Sequence, residues 1–69
     1  MIKLKLDRFE ELQIQVGKTD DKSIAEYIGV NRSTVYRIKK GKMIPGPDFI
    51  ASVLKAFPEH PFEDLFFVA

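Results

Sequence analysis

The chain has 69 residues, 11 basic and 10 acidic side chains, a net charge of +1 at pH 7 and no cysteine. That length makes one small domain whose core needs most of the chain, and without cysteine neither disulfides nor thiolate metal sites can form. The composition, 45% hydrophobic and 30% charged, is that of an ordinary soluble globule; no apolar run approaches the roughly 20 residues of a membrane span or forms a signal-peptide core, so a reducing cytoplasm is the expected setting.

The first six residues alternate apolar and basic side chains with period two. That pattern fits a short extended segment, or a helix start with Leu6 docked on the core. Asp7 and Glu10 have capping-box spacing, which predicts a first helix over 7–16 burying Phe9, Leu12 and Val16, with Gly17 as its stop. Asp20 is the N-cap candidate for a short second helix over 22–28, with Ile24, Ala25 and Ile28 inward and Gly29 at its end. Asn31 caps a third helix reaching residue 40, closed by Gly41. The prolines at 45 and 47 fix a rigid connection. A fourth helix then spans 47–57, with Phe49, Ile50, Val53, Leu54 and Phe57 on one apolar stripe. Pro58 breaks it, and Pro61 opens a last short helix through residue 66, led by His60. The expectation is five helices in one all-α domain over 1–69, with no sheet to speak of.

Charge is laid out unevenly. Residues 7–27 carry six acids against three bases, residues 31–42 carry five bases and no acid, and residues 59–69 carry three acids and no base. At about 100° per residue, Val35 and Ile38 mark the buried side of the third helix. Arg32, Ser33, Tyr36, Arg37 and Lys40 then spread over its opposite half. Arginine can bond bidentately to guanine O6 and N7 in the major groove, which is wide enough for a helix. Lys39, Lys40 and Lys42, at the helix end and just past it, are placed for phosphates, which position a protein without specifying sequence. A merely solvated basic face is the bland alternative.

The unit 23-SIAEYIGVNRSTVYRIKKG-41 favours the sharper reading. A short helix with a small residue, Ala25, at the crossing, a tight turn with Gly29, and a second helix with an exposed polar face make the layout of a helix-turn-helix over about 22–40. A purely structural helical hairpin could share that spacing, and the exposed cations weigh against it.

On the residues 24-IAEYIGVNRSTVYRIKKGKMIP-45 and 62-FEDLFF-67, the chain resembles the Xre family of helix-turn-helix regulators, the group of the lambda and 434 phage repressors and Cro proteins. The likeness covers about 9–67. It implies a lambda repressor-like five-helix domain whose third helix enters the major groove. Arg32, Ser33 and Arg37 fall where the family reads base edges. Asn31 and Tyr36 fall where side chains reach bases or the adjoining backbone, and Lys40, Gly41 and Lys42 match the exit loop that grips phosphate. The chain departs from the family in three places. Asp21 stands where a glutamine commonly bonds phosphate, with Lys22 as its replacement. The turn after the first helix is a residue longer, with Lys18 and Thr19 where an apolar residue is common. His60 and Pro61 lengthen the last turn.

His60 is the one histidine, which makes a metal site improbable and a cap or exposed imidazole the plain reading. Glu10, Glu11, Glu63 and Asp64 give no sign of converging in a pocket, and no nucleophile–base set or phosphate loop is present, so neither an enzyme nor a cofactor is expected. Phe67 and Val68, with Ile2 and Leu4, either pack into the core or form an apolar patch for a dimer or a protein partner. The function expected is a sequence-specific DNA-binding regulator, of phage- or mobile-element repressor or Cro-like type, acting as a homodimer on double-stranded DNA. With no room in the chain for a ligand or cleavage domain, switching is expected to depend on concentration, competition or a partner. A DNA-binding antitoxin, or an interaction module that keeps only the fold, are the rivals.

Overall fold

The computed structural model describes residues 1–69 and runs β1 (Ile2–Leu4), α1 (Leu6–Gln15), α2 (Asp21–Ile28), α3 (Arg32–Lys39), α4 (Pro47–Ala56), α5 (Phe62–Leu65) and β2 (Phe66–Val68). The five helices enclose a single core of Leu4, Phe9, Leu12, Ile24, Ala25, Ile28, Val35, Ile38, Phe49, Val53, Phe57, Leu65 and Phe66. The apolar positions read from helical spacing on α2, α3 and α4 supply most of it. Aromatic rings fill the centre: Phe49 meets Phe66 edge-on at 6.4 Å, and Phe62 stacks on Phe66 at 5.2 Å. No helix is long and apolar enough to cross a membrane.

The five-helix, all-α expectation holds, and two short strands are added to it at the termini. β1 and β2 pair antiparallel, with Ile2 opposite Val68, Lys3 opposite Phe67 and Leu4 opposite Phe66. Phe66, expected to end the last helix, instead takes φ −133° and ψ 159°, and its ring is buried. The pairing joins the two ends of the chain, so no local period announces it. It also resolves the open N-terminal alternatives: the period-two segment is extended, Leu4 is buried, and Leu6 stays exposed at 40%.

The start of α1 differs for the same reason. Lys5, not Asp7, is its N-cap, without a side-chain cap bond. The Lys5 N–H is committed to the Leu65 carbonyl at 2.8 Å, so the chain turns into helix directly from the strand. Asp7 falls in the first turn, where its charge favours the positive end of the helix dipole. Val16 is the half-buried C-cap, and the buried place goes to Gln13. Its Nε2 donates to the Lys18 carbonyl at 3.0 Å, and the Lys18 N–H donates to the Gln13 carbonyl at 2.8 Å. A polar side chain is tolerated in the core because its donor is used to close the long turn after α1.

Asp20 caps α2 as its sequence predicts, accepting the Ser23 N–H at 3.0 Å. That hydrogen bond is the main reason its carboxyl titrates below the usual aspartate range. The sign follows: stability from this cap is complete above the unfolded value of about 3.9 and is lost as pH falls through the lower folded value. Asp20→Asn keeps an acceptor without the charge and is expected to flatten this acid-side loss. Thermal melts of both proteins from about pH 2 to 7 check it; parallel pH curves would show that Asp20 is not the group responsible.

Candidate nucleic-acid interface

The turn from α2 to α3 occupies three residues, 29–31. Gly29 sits at φ 82°, ψ 36°, a left-handed conformation that a side chain would strain. The Ala25 carbonyl accepts from both the Gly29 N–H at 2.8 Å and the Val30 N–H at 2.9 Å. Asn31 then starts α3: its Oδ1 accepts the Ser33 N–H at 2.8 Å and the Ser33 hydroxyl at 2.6 Å. The cap fixes the axial direction of α3, and burial of Val35 (1% exposed) and Ile38 (5% exposed) fixes its rotation.

With that side closed, Arg32, Ser33, Tyr36, Arg37 and Lys40 are all exposed together. The ion pairs of the molecule are Lys39 with Asp21 and His60 with Asp64, both at 3.4 Å. Arg32, Arg37, Lys22, Lys40 and Lys42 therefore have no carboxylate partner. The exit from α3 is held by Gly41 at φ 72°, with the Gly41 N–H on the Ile38 carbonyl at 3.1 Å and the Lys42 N–H on the Arg37 carbonyl at 2.8 Å. This reversal carries Lys42 back alongside the helix. The ammoniums of Lys40 and Lys42 each lie 5.9 Å from the Tyr36 ring centre, within cation–π range, so three candidates from two segments form one cluster.

Lys22 comes from α2, yet it borders one shallow hollow with Asn31 and Arg32. The same hollow includes Glu26, an acid the sequence reading did not place near the site. Lys39 stands apart from the other cations. It is only 18% exposed, its ammonium is held by Asp21, and it lies 6.0 Å from the Phe9 ring. Lys39, placed for phosphate by its position at the helix end, is thus also the residue that ties α3 to α2. Asp21 also borders a hollow with Arg32, Ser33 and Tyr36, so the carboxylate that pairs with Lys39 stands at the edge of that face. Spacing within α3 could not reveal the pair, because the two residues are 18 apart in sequence.

A short helix, a glycine turn and a second helix with an exposed, donor-rich face define a helix-turn-helix protein. Residues 10–63 match the Helix-turn-helix family, and the chain belongs to that family, in its Xre/lambda repressor-like branch. No curated protein and no solved structure matches it. The fold is thus of the DNA-binding transcription-regulator type.

Proposed function

We propose that the chain is a sequence-specific DNA-binding regulator of phage- or mobile-element repressor or Cro-like type, acting from 1–69 as a single domain, with α3 in the major groove. The observation that carries this reading is the exposed face of α3: Arg32, Ser33, Tyr36 and Arg37 stand together there without a carboxylate partner. Arg37 and Arg32 donate in pairs to guanine edges, and Ser33 and Tyr36 supply hydroxyls to bases or the adjoining backbone. Lys22, Asn31, Lys40, Gly41 and Lys42 contact phosphates, the glycine through its backbone. Lys39 acts behind them, keeping α3 at its angle to α2. Two copies on a near-palindromic site place their α3 helices about 34 Å apart.

The net charge of +1 keeps non-specific affinity low, so the local cluster supplies the electrostatic attraction. Lys42→Ala is expected to weaken all duplexes alike and to lower the slope of log affinity against log salt by about one unit. Anisotropy titrations of a random duplex across a salt series test this. A slope unchanged in the mutant, or a wild type with no salt-dependent duplex binding, would remove the phosphate contact from the account.

A further inference from the structure

A second surface joins this cluster from the other side. β1 and the segment 38–45 wall an open groove of about 720 Å³, and none of its thirteen lining residues is acidic. Four of the eight exposed large apolar side chains of the molecule, Met1, Leu6, Ile44 and Phe67, lie along it. Leu4 and Ile38 also line it, and Lys3, Lys40 and Lys42 add unpaired cations. Apolar patches of this kind mark interaction sites, and the cations specify the sign of the partner.

The backbone of β1 specifies its shape. The Met1 carbonyl accepts the Ala69 N–H at 2.8 Å, and the Lys5 N–H donates to the Leu65 carbonyl at 2.8 Å. Odd-numbered residues of β1 therefore bond to β2, and Ile2 and Leu4 turn their N–H and C=O groups to the free edge, where no backbone group meets them. A free edge takes an added strand, with main-chain bonds giving affinity and alternate side chains giving specificity.

A second copy does not fit this edge. Two-fold contact would bring Lys3, Lys40 and Lys42 of both copies to one seam with no carboxylate among the lining residues, and like charges so placed repel. Lysine on an edge strand is a known guard against self-pairing. None of the ten acids of this chain lines the groove, so a second copy docked face to face supplies no carboxylate to these lysines.

We propose that this groove takes an extended segment of a partner protein in which acidic and apolar residues alternate. Its backbone pairs with Ile2 and Leu4, its apolar side chains take the Leu4 face beside Ile44, and its carboxylates take the opposite face, where Lys3 stands, with Lys40 and Lys42 adding charge along the groove. Because Lys40 and Lys42 also flank Tyr36, the segment competes with DNA. That competition, unlike the docking itself, rests on the DNA-binding reading above. It would give a small regulator a switch supplied in trans.

The probe is a synthetic peptide of about seven residues alternating glutamate and leucine, with a lysine-for-glutamate counterpart as control. Amide NMR shifts report docking, and release of a labelled duplex reports competition. The acidic peptide is expected to shift Ile2, Leu4 and Ile44 and to release duplex, and the lysine peptide to do neither. Lys3→Gln and Ile44→Ser change exposed side chains and are expected to weaken docking about tenfold each while leaving duplex affinity unchanged. No docking by the acidic peptide, or equal docking by its lysine counterpart, overturns the proposal. A lower salt slope for Lys3→Gln without docking would assign the groove to DNA, and self-association abolished by Ile44→Ser would assign it to a second copy; both overturn it. Docking by a wild type that holds no duplex supports the groove and removes only the competition.

Discussion

Phe9→Ala is expected to lower the melting temperature by more than about 10 °C. The phenyl ring has no exposed surface, sits 6.3 Å from Phe49 and lies under the Lys39 ammonium. Truncating a buried phenylalanine costs about 3–5 kcal/mol in lost transfer energy and cavity formation. A domain of this size has total stability of only about 3–10 kcal/mol, and each kcal/mol moves its midpoint by about 4–8 °C. The same ring supports the Lys39–Asp21 link between α2 and α3, so DNA binding and stability should fall together. Circular-dichroism melts measure the shift. Ile14→Ala on the same helix, at a side chain 69% exposed, should change stability by less than about 0.5 kcal/mol. Comparable shifts in the two variants would mean that Phe9 does not anchor the core.

Arg37→Ala is expected to cost about 1–3 kcal/mol on a preferred duplex and to relax one base position, with a much smaller loss on random DNA. Arg37 is exposed on α3 without an acidic partner, and its carbonyl holds the Lys42 N–H at 2.8 Å. The backbone there is therefore fixed by the exit turn. That bond does not involve the side chain, so truncation should leave the fold intact. Arg37→Lys separates charge from geometry. Lysine keeps the positive charge but lacks the planar fork, so it should restore affinity for random duplex and not discrimination at the relaxed position. Competition titrations with single-base variants of the preferred site give both quantities. Equal losses on preferred and random DNA would make Arg37 a phosphate contact instead.

The parts of the fold legible in the sequence are those set by neighbours within a turn or two. Asp20 and Asn31 cap their helices through residues two and three positions on. Gly29 and Gly41 end helices where a left-handed residue is needed, and Val35 and Ile38 turn one side of α3 inward. From these alone follows the exposure of Arg32, Ser33, Tyr36 and Arg37. What the sequence left hidden depends on residues far apart along the chain. The β1–β2 pair joins the two ends of the chain and displaced both the expected cap of α1 and the expected end of α5. Gln13 is polar, so no apolar period marks it as a core position, although its amide finds a carbonyl five residues on. The Lys39–Asp21 pair is hidden because the carboxylate lies on another helix, 18 residues away. The same holds for Lys3: only the folded chain brings it to one groove with Lys40 and Lys42.

The most direct measurement of the central claim is selection from a random duplex pool at about physiological ionic strength, 0.15 M, with wild type and Arg37→Ala in parallel. The account predicts that wild type enriches a near-palindromic motif with half-sites about one helical turn apart, and that Arg37→Ala loses or degrades it at one position per half-site. A wild type that enriches nothing, or a mutant that enriches the same motif with the same stringency, would contradict major-groove reading by α3.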